Sequence, residues 1–192
     1  MKVGIVGCAG RMGRMLVREV LANSDCELCG GTESPGHAVL GQDIAANSGL
    51  APCGLQIRED TPSLFQMSDV VIDFTVASIT ESHAVLAAQH GTNLILGTTG
   101  HNEKQISSIN AAAKKTTIVK AMNFSIGINI LLKLTTDIST AVGADFDIEI
   151  LEMHHKHKID SPSGTAIGLG EAAAAGRKSK LTDVANWGRD RS

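Results

Sequence analysis

The chain has 192 residues, of which 43% are hydrophobic, so it can bury the core of one large domain or of two small ones. Its net charge of −3 and its few aromatic side chains (one Trp, four Phe and no Tyr) argue against a nucleic-acid-binding surface. The amino terminus enters an apolar segment directly, without a signal-peptide pattern, and no apolar run reaches the ~20 residues of a membrane span. We therefore expect a cytoplasmic protein with neither nucleic-acid nor membrane partners.

Short apolar segments alternate with helical patterns through the first two thirds of the chain. Strands are predicted at residues 2–7, 26–32, 69–75, 93–100 and 117–124, and helices at 11–23, 78–90 and 102–115. Several of these strands are apolar over nearly their whole length, which is typical of a parallel sheet covered on both faces. The pattern predicts an α/β fold with a Rossmann-like, doubly wound parallel sheet, and residues 34–62 are expected to form loops around short elements.

The alternation changes near residue 125. A long helix is predicted at residues 125–143, followed by a strand at 146–155 and by a further helix that begins at Ser163, Gly164 and Thr165. We predict two domains, with residues 1–124 binding a dinucleotide and residues 125–192 forming an α+β domain for substrate binding and oligomerisation.

A glycine-rich turn joins the first predicted strand to the first helix. Gly7, Gly10 and Gly13 stand in the sequence GCAGRMG, where a dinucleotide fingerprint requires a tight turn, a close approach to pyrophosphate and a helix N-terminus. Glu33 lies 20 residues after Gly13, at the end of the second strand, where an acid can bind ribose hydroxyls. The alternatives are an ordinary strand-to-helix turn and a solvated loop acid.

Two later strands end in small or polar residues, GTTG at 97–100 and AMNFS at 121–125. Ligands of open parallel sheets bind outside the carboxyl ends of the strands. Gly97, Thr98, Thr99 and Asn123 are therefore placed to contact a nicotinamide, although either segment alone could be a plain turn.

The stretch EMHHKHKIDSPSGTA, residues 152–166, contains three of the seven histidines and two lysines. His154 and His157 could bind zinc, but Lys156 and Lys158 repel a cation and attract an anion. A solvated basic loop is the other alternative. We favour a site for an anionic substrate, with Lys158 supplying charge or a proton, a histidine supplying acid–base capacity, and the N-terminus of the next helix supplying backbone N–H groups.

These motifs together resemble the 4-hydroxy-tetrahydrodipicolinate reductase (dihydrodipicolinate reductase) family of bacterial lysine and diaminopimelate synthesis. The resemblance covers the whole chain and is most specific in the segment from His154 to Thr165. It implies that a nicotinamide cofactor reduces a cyclic, unsaturated dicarboxylate, and that the complete protein is a homotetramer assembled through its substrate domains.

The resemblance also implies roles for individual residues. The implied catalytic residues are His154 and Lys158, and the implied substrate-binding residues are His155, Gly164 and Thr165. The implied cofactor-binding residues are Gly7, Cys8, Ala9, Gly10, Arg11, Met12, Glu33, Gly97, Thr98, Thr99, Ala121, Met122, Asn123 and Phe124.

The chain departs from the family in three respects. Ser161 stands where members often have Ala, a change that we expect to be silent. Ser34 follows the ribose acid where members often have a basic residue, so we expect a preference for NADH over NADPH, with Arg11 and Arg14 as the nearby cations that could offset it. Members also continue beyond the point where this sequence stops, so an incomplete second domain is expected.

Two rival interpretations of the function remain. A related dehydrogenase acting on an amino or hydroxy acid would lack the His154–Thr165 segment as a unit. A redox-sensing NAD(H)-binding module would need no acid–base cluster. The spacing of Cys26 and Cys29 fits redox or metal chemistry, but we expect both to be reduced packing residues, and we expect no metal site.

Overall fold

The computed structural model describes residues 1–154, 156 and 161–187. Contacts divide the chain into two compact units, Met1–Ala121 and Met122–Ser192. No helix in this described part combines the length and the apolar composition needed to cross a bilayer.

The first unit is a five-stranded parallel sheet with helices on both faces, in the strand order β2-β1-β3-β4-β5. Its strands are β1 (Lys2–Val6), β2 (Glu27–Thr32), β3 (Val70–Asp73), β4 (Asn93–Leu96) and β5 (Ile118–Lys120). Its helices are α1 (Arg11–Ala22), α2 (Ile44–Asn47), α3 (Thr61–Met67), α4 (Ala77–His90) and α5 (Glu103–Ala112). This architecture confirms the predicted Rossmann-like class; α2 is a short element within residues 34–62, as expected, and α3 begins at the end of that stretch.

Each face of the sheet has its own apolar core. Val3 and Ile5 of β1 pack with Val17 and Val20 of α1 on one face. Val6, one position further along the strand, packs with α3, α4 and α5 on the other. Because both faces are covered, the strands need apolar residues at successive positions, and this produces the continuous runs in the sequence.

The strand order places a topological switch point between β1 and β3. The chain moves from β1 to β2 on one side and then returns to β3 on the other side of β1. Asp73, the last residue of β3, is level with Val6 of β1 and with Leu96 of β4. The loops that follow these three strands therefore begin side by side, in the position where open α/β sheets bind ligands.

The second unit is built on two packed helices, α6 (Ile126–Val142) and α7 (Gly164–Gly176), with a 3₁₀ turn at Gly143–Asp145 and a short helix α8 (Leu181–Val184). Hydroxyl groups of α6 bond to carbonyls of α7, as in Ser139 Oγ to Ala173 O at 2.7 Å. Gly176 permits this close approach, because a Cβ there would lie 2.5 Å from the Thr136 carbonyl oxygen.

The strand predicted at 146–155 is wrong for the residues that the structure describes, since residues 146–154 have no strand conformation. Alternating side chains suit a strand, but a strand also needs a partner for its backbone N–H and C=O groups. No described residue of this unit supplies one. His155, the last residue of the predicted strand, lies outside the described residues.

Candidate functional site

The turn between β1 and α1 is shaped by two glycines. Gly7 has a φ of +66°, and a Cβ there would lie 2.7 Å from Thr75 Cγ2. A Cβ on Gly13 would lie 2.1 Å from the carbonyl oxygen of Gly7, so the helix and the turn touch with no room for a side chain. Gly10 precedes α1 as its N-cap and contributes no side-chain cap. The first N–H groups of α1 therefore remain available to an anion such as pyrophosphate.

Glu33 is half-buried just beyond β2, and its Oε1 accepts a hydrogen bond from the backbone N–H of Ala9 at 2.8 Å. The structure thus brings together the predicted ribose acid and the predicted phosphate-binding turn. Arg14 closes the same turn by donating from Nε to the Ala9 carbonyl at 2.8 Å, whereas the side chain of Arg11 is exposed.

Cys8 is buried beneath this turn, so only its backbone is available to a ligand. Burial, reinforced by the charge of Glu33, raises the pKa of the Cys8 thiol to about 12. The side chain is a neutral packing group against β2, where a Cβ on Gly31 would lie 2.8 Å from Cys8 Sγ.

The loops after β3 and β4 meet at a buried carboxylate. Asp73 has no exposed surface, and its Oδ1 accepts bonds from Thr75 N at 2.8 Å, Thr75 Oγ1 at 2.5 Å and Thr98 Oγ1 at 3.3 Å. Its Oδ2 lies 2.7 Å from Nδ1 of His83 on α4. Burial acts to raise the pKa of Asp73, but the hydrogen bond and charge of His83 and the bonds from Thr75 outweigh it, so the pKa is lowered.

The three residues after β4 that were predicted to bind the cofactor lie in different environments. Thr98 turns its hydroxyl inward to Asp73, whereas Thr99 is exposed. Gly97 is required sterically, because a Cβ there would lie 2.1 Å from Phe74 Cε1. Ala121 follows β5, with its N–H directed to the Leu96 carbonyl at 3.3 Å.

In the second unit, the structure brings together residues predicted for cofactor and for substrate. Asn123 Nδ2 lies 3.5 Å from Thr165 Oγ1, and Asn123 Oδ1 accepts a bond from Ser125 N at 2.8 Å. A groove of about 390 Å³ between α6 and α7 is lined in part by Met122, Asn123, Gly164 and Thr165. The side chains of Met122 and Phe124 are largely exposed.

Helix α7 begins as the sequence predicts, with Ser163 as its N-cap and Ser163 Oγ accepting from Ala166 N at 3.1 Å. The Ser163 N–H donates to Glu152 Oε1 at 2.9 Å. The other oxygen of Glu152 lies 3.4 Å from His154 Nδ1. One carboxylate thus links the predicted catalytic histidine to the start of the predicted anion-binding helix.

A larger cavity of the second unit, about 610 Å³, is lined by the acids Asp147, Glu149 and Glu152, with Arg177 as the cation in its lining. This lining is less suited to a dianion than the N-terminus of α7. His155, His157 and Lys158 lie outside the described residues. Among the residues that are described, no three His, Cys, Asp or Glu side chains group as a metal site.

Four residues of this arrangement were missed in the sequence, namely Asp73, Thr75, His83 and Glu152. A carboxylate that closes an otherwise apolar strand, VVID, was a signal for Asp73. Glu152 precedes His154 by two positions, but only the fold brings it to Ser163.

Sequence comparison identifies both parts of the chain. The family profile "Dihydrodipicolinate reductase, N-terminus" matches residues 1–124, and "Dihydrodipicolinate reductase, C-terminus" matches residues 127–189. The chain is 46% identical over 186 residues to the 4-hydroxy-tetrahydrodipicolinate reductase of Dinoroseobacter shibae, covering 97% of this chain and 69% of that protein. It is also 46% identical to the reductase of that name from Parvibaculum lavamentivorans, covering 98% of this chain and 70% of the relative.

Comparison with solved structures also finds a dihydrodipicolinate reductase. The dipicolinate-bound dihydrodipicolinate reductase from Paenisporosarcina sp. TG-14 superposes with a TM-score of 0.70 at 29% identity, over 92% of this chain and 66% of that one. The WlbA dehydrogenase of Bordetella pertussis, solved with NADH and UDP-GlcNAcA, has a TM-score of 0.54 at 16% identity over 72% of this chain and 42% of that one, a likeness of fold alone. The two profiles and the identity to full-length relatives show that the chain belongs to the dihydrodipicolinate reductase family.

Proposed function

We propose that the protein reduces 4-hydroxy-tetrahydrodipicolinate to tetrahydrodipicolinate with a nicotinamide cofactor, in diaminopimelate and lysine biosynthesis. The observation that carries this proposal is the match of the two halves of one reductase family in their natural order along the chain. The local geometry supports it, because the glycine turn, Glu33 and the N-terminus of α7 each have the chemistry that the reaction requires.

Each of the two domains has its own role in this proposal. Residues 1–124 bind the dinucleotide, and residues 125–192 bind the substrate and contribute to oligomerisation. The complete protein is a cytoplasmic homotetramer whose partners are small molecules. The chain spans 69% of the length of the Dinoroseobacter relative.

The residues of the first unit fit a dinucleotide. The backbone of residues Gly7–Met12 holds the pyrophosphate, since Gly7 and Gly13 let the turn close tightly against Thr75 and against the start of α1. Glu33 uses Oε1 for Ala9, which leaves Oε2 to accept a hydrogen bond from a ribose hydroxyl. The other cofactor-binding residues in this proposal are Gly97, Thr98, Thr99 and Ala121 of the first unit and Met122, Asn123 and Phe124 of the second. When bound, the cofactor supplies the hydride.

NADH is the preferred cofactor in this proposal. A 2′-phosphate would be placed against the carboxylate of Glu33, while the nearby Arg14 is engaged with the Ala9 carbonyl. Ser34 brings no positive charge. Arg11 is the remaining cation of the turn and offsets the repulsion only in part.

The substrate carries two carboxylates, and the second unit offers matching groups. The N–H groups at the start of α7, at Gly164 and Thr165, form one anion-binding position. Thr165 is steadied by Asn123. His155 and Lys158 are further substrate-binding candidates in this proposal, with Lys158 supplying positive charge.

The proposed reaction adds a hydride and a proton to 4-hydroxy-tetrahydrodipicolinate and releases its 4-hydroxyl group as water, so a proton is needed as well as the hydride. His154 and Lys158 provide it as an acid–base pair. Glu152 acts as a positioning residue for His154 in this proposal, because its Oε2 lies 3.4 Å from Nδ1 and its Oε1 is fixed by Ser163 N. This leaves Nε2 of His154 directed away from Glu152 and able to exchange a proton with a substrate.

An absorbance assay tests this function. The chain is mixed with NADH or NADPH and with the freshly formed condensation product of aspartate semialdehyde and pyruvate, and the loss of absorbance at the nicotinamide band is followed. Oxidation of the cofactor that depends on both condensation partners is expected. Equal oxidation with simple 2-oxo acids in place of that product would point to a general dehydrogenase and contradict the proposal.

A further inference from the structure

The buried pair Asp73–His83 lies outside every role assigned so far. Asp73 has 0% and His83 has 5% of its surface exposed. Neither residue can therefore contact a substrate directly. A buried carboxylate is costly to maintain unless hydrogen bonds and an opposite charge compensate it, so its presence at the end of the central strand needs an explanation.

The carboxylate of Asp73 connects two loops with one helix. Its Oδ1 accepts bonds from the N–H and hydroxyl of Thr75, which begins the loop after β3, and from the hydroxyl of Thr98 in the loop after β4. Its Oδ2 is held by His83 Nδ1 from the interior of α4. Each oxygen thus has a donor from a different part of the sequence, and the carboxylate plane is fixed from both sides.

The connection extends to the glycine turn. The methyl group of Thr75 packs where a Cβ on Gly7 would sit, 2.7 Å away. The backbone N–H of Gly97 donates to the Asp73 carbonyl at 2.8 Å, so the loop after β4 is held at two points. Displacement of Thr75 would therefore disturb the turns after β1, β3 and β4 together.

Helix α4 presents a second polar residue on the same side. Thr80 is fully buried three positions before His83, and its Oγ1 lies 3.0 Å from His101 Nε2, just beyond the GTTG loop. The ring of His83 packs against Phe65, with 5.8 Å between ring centroids. The helix therefore supports the residues after β4 directly through Thr80 and, by way of Asp73, through His83.

We propose that His83 and Asp73 are positioning residues that set the loops after β1, β3 and β4 at the spacing required by the nicotinamide end of the cofactor. This inference rests on the proposed function, since it assumes that these loops bind the dinucleotide. His83 fixes the carboxylate, and the carboxylate fixes Thr75 and Thr98. Replacing His83 removes the donor to Asp73 and lets these loops move, although His83 itself contacts no ligand.

The test compares two replacements of His83. His83→Leu keeps an apolar side chain of similar size but removes the donor, whereas His83→Asn keeps an N–H near the position of Nδ1. His90→Asn, at the exposed end of the same helix, is the matched control. The Kd for NADH and the kcat and KM for both substrates are measured at a temperature at which circular dichroism shows each variant folded.

We expect His83→Leu to raise the Kd for NADH about tenfold and to lower kcat/KM by about 10- to 100-fold, the range typical of small misplacements of binding groups. His83→Asn should recover most of the affinity, and His90→Asn should match the wild type. A merely structural His83 would lower the melting temperature while leaving the Kd of folded His83→Leu unchanged, which would overturn the proposal.

Thr75→Val provides a second route if His83→Leu does not fold, because it removes one donor to Asp73 at a half-buried position. Its Kd for NADH should rise about tenfold. Wild-type affinity in Thr75→Val would overturn the inference. A wild-type chain that binds no dinucleotide would instead refute the proposed function, so the two failures can be told apart.

Discussion

The carboxylate of Glu33 and the backbone N–H of Ala9 are joined by a hydrogen bond of 2.8 Å. This bond fastens the end of β2 to the turn after β1. The residue proposed to bind the ribose therefore also supports the turn proposed to bind the pyrophosphate. Because Glu33 has both roles, a substitution that tests cofactor choice should keep an acceptor for the Ala9 N–H.

Glu33→Gln tests cofactor choice without removing this acceptor. Glutamine keeps an oxygen that can accept from Ala9 N but loses the charge that opposes a 2′-phosphate. We expect the wild type to prefer NADH, and the ratio of kcat/KM for NADH over NADPH to fall by about tenfold in Glu33→Gln, as for the removal of a single close charge repulsion. Steady-state kinetics with both cofactors provide the measurement.

Glu27→Gln is the matched control, since Glu27 is an exposed acid at the other end of β2. Its cofactor ratio should equal that of the wild type. A clear preference of the wild type for NADPH would contradict the prediction and would show that Arg11 outweighs Glu33.

Two helical glycines should respond in opposite ways to alanine. In Gly13→Ala the new Cβ would lie 2.1 Å from a backbone oxygen, so the turn or helix α1 must move, and we expect a loss of about 1–3 kcal/mol in stability together with weaker NADH binding. In Gly127→Ala the Cβ meets, among the described residues, Ser125 Oγ alone at 3.8 Å, and stability should rise by about 0.5–1 kcal/mol. Urea denaturation of both variants tests this, and equal effects would contradict it.

The architecture of the first unit could be predicted because its signals are local. A strand buried on both faces requires successive apolar residues, and β1, β3 and β4 all show them. The start of α7 is likewise encoded by Ser163 and the residues that follow it. The predicted phosphate turn and Glu33 were found because the fingerprint has a fixed spacing.

What the sequence did not predict depends on distant partners. Residues 146–154 alternate like a strand, but strand formation requires a pairing neighbour, which no local pattern can supply. Asp73 appeared to be part of an ordinary strand end, because its donors Thr98 and His83 stand 25 and ten positions away. Such polar networks are visible only when the helices and loops are in place.

Asp73 should make stability sensitive to acid. Its pKa is lowered in the folded chain, so folding favours the ionised form. This contribution is fully present above the ordinary aspartate pKa of about 3.9 and is lost as the pH falls through the lower folded value. The urea midpoint of the wild type should therefore drop more steeply below about pH 4 than that of Asp73→Asn.

Asp25→Asn, which changes an exposed aspartate of the same unit, controls for the altered net charge and should follow the wild-type curve. Parallel curves for the wild type and Asp73→Asn would show that the ionised form of Asp73 is not favoured by folding.

The proposed proton donors give the last prediction. His154→Ala and Lys158→Ala should each lower kcat by ~10²–10⁴-fold, the contribution of a positioned acid, with little change in the Kd for NADH. Glu152→Gln keeps an acceptor for Ser163 N but removes the charge 3.4 Å from His154 Nδ1, so its kcat should fall less, by about tenfold. Lys156→Ala, in the same stretch, is the control and should retain the wild-type rate. Near-normal turnover in both His154→Ala and Lys158→Ala would remove the acid–base role from this stretch and leave it with charge attraction alone.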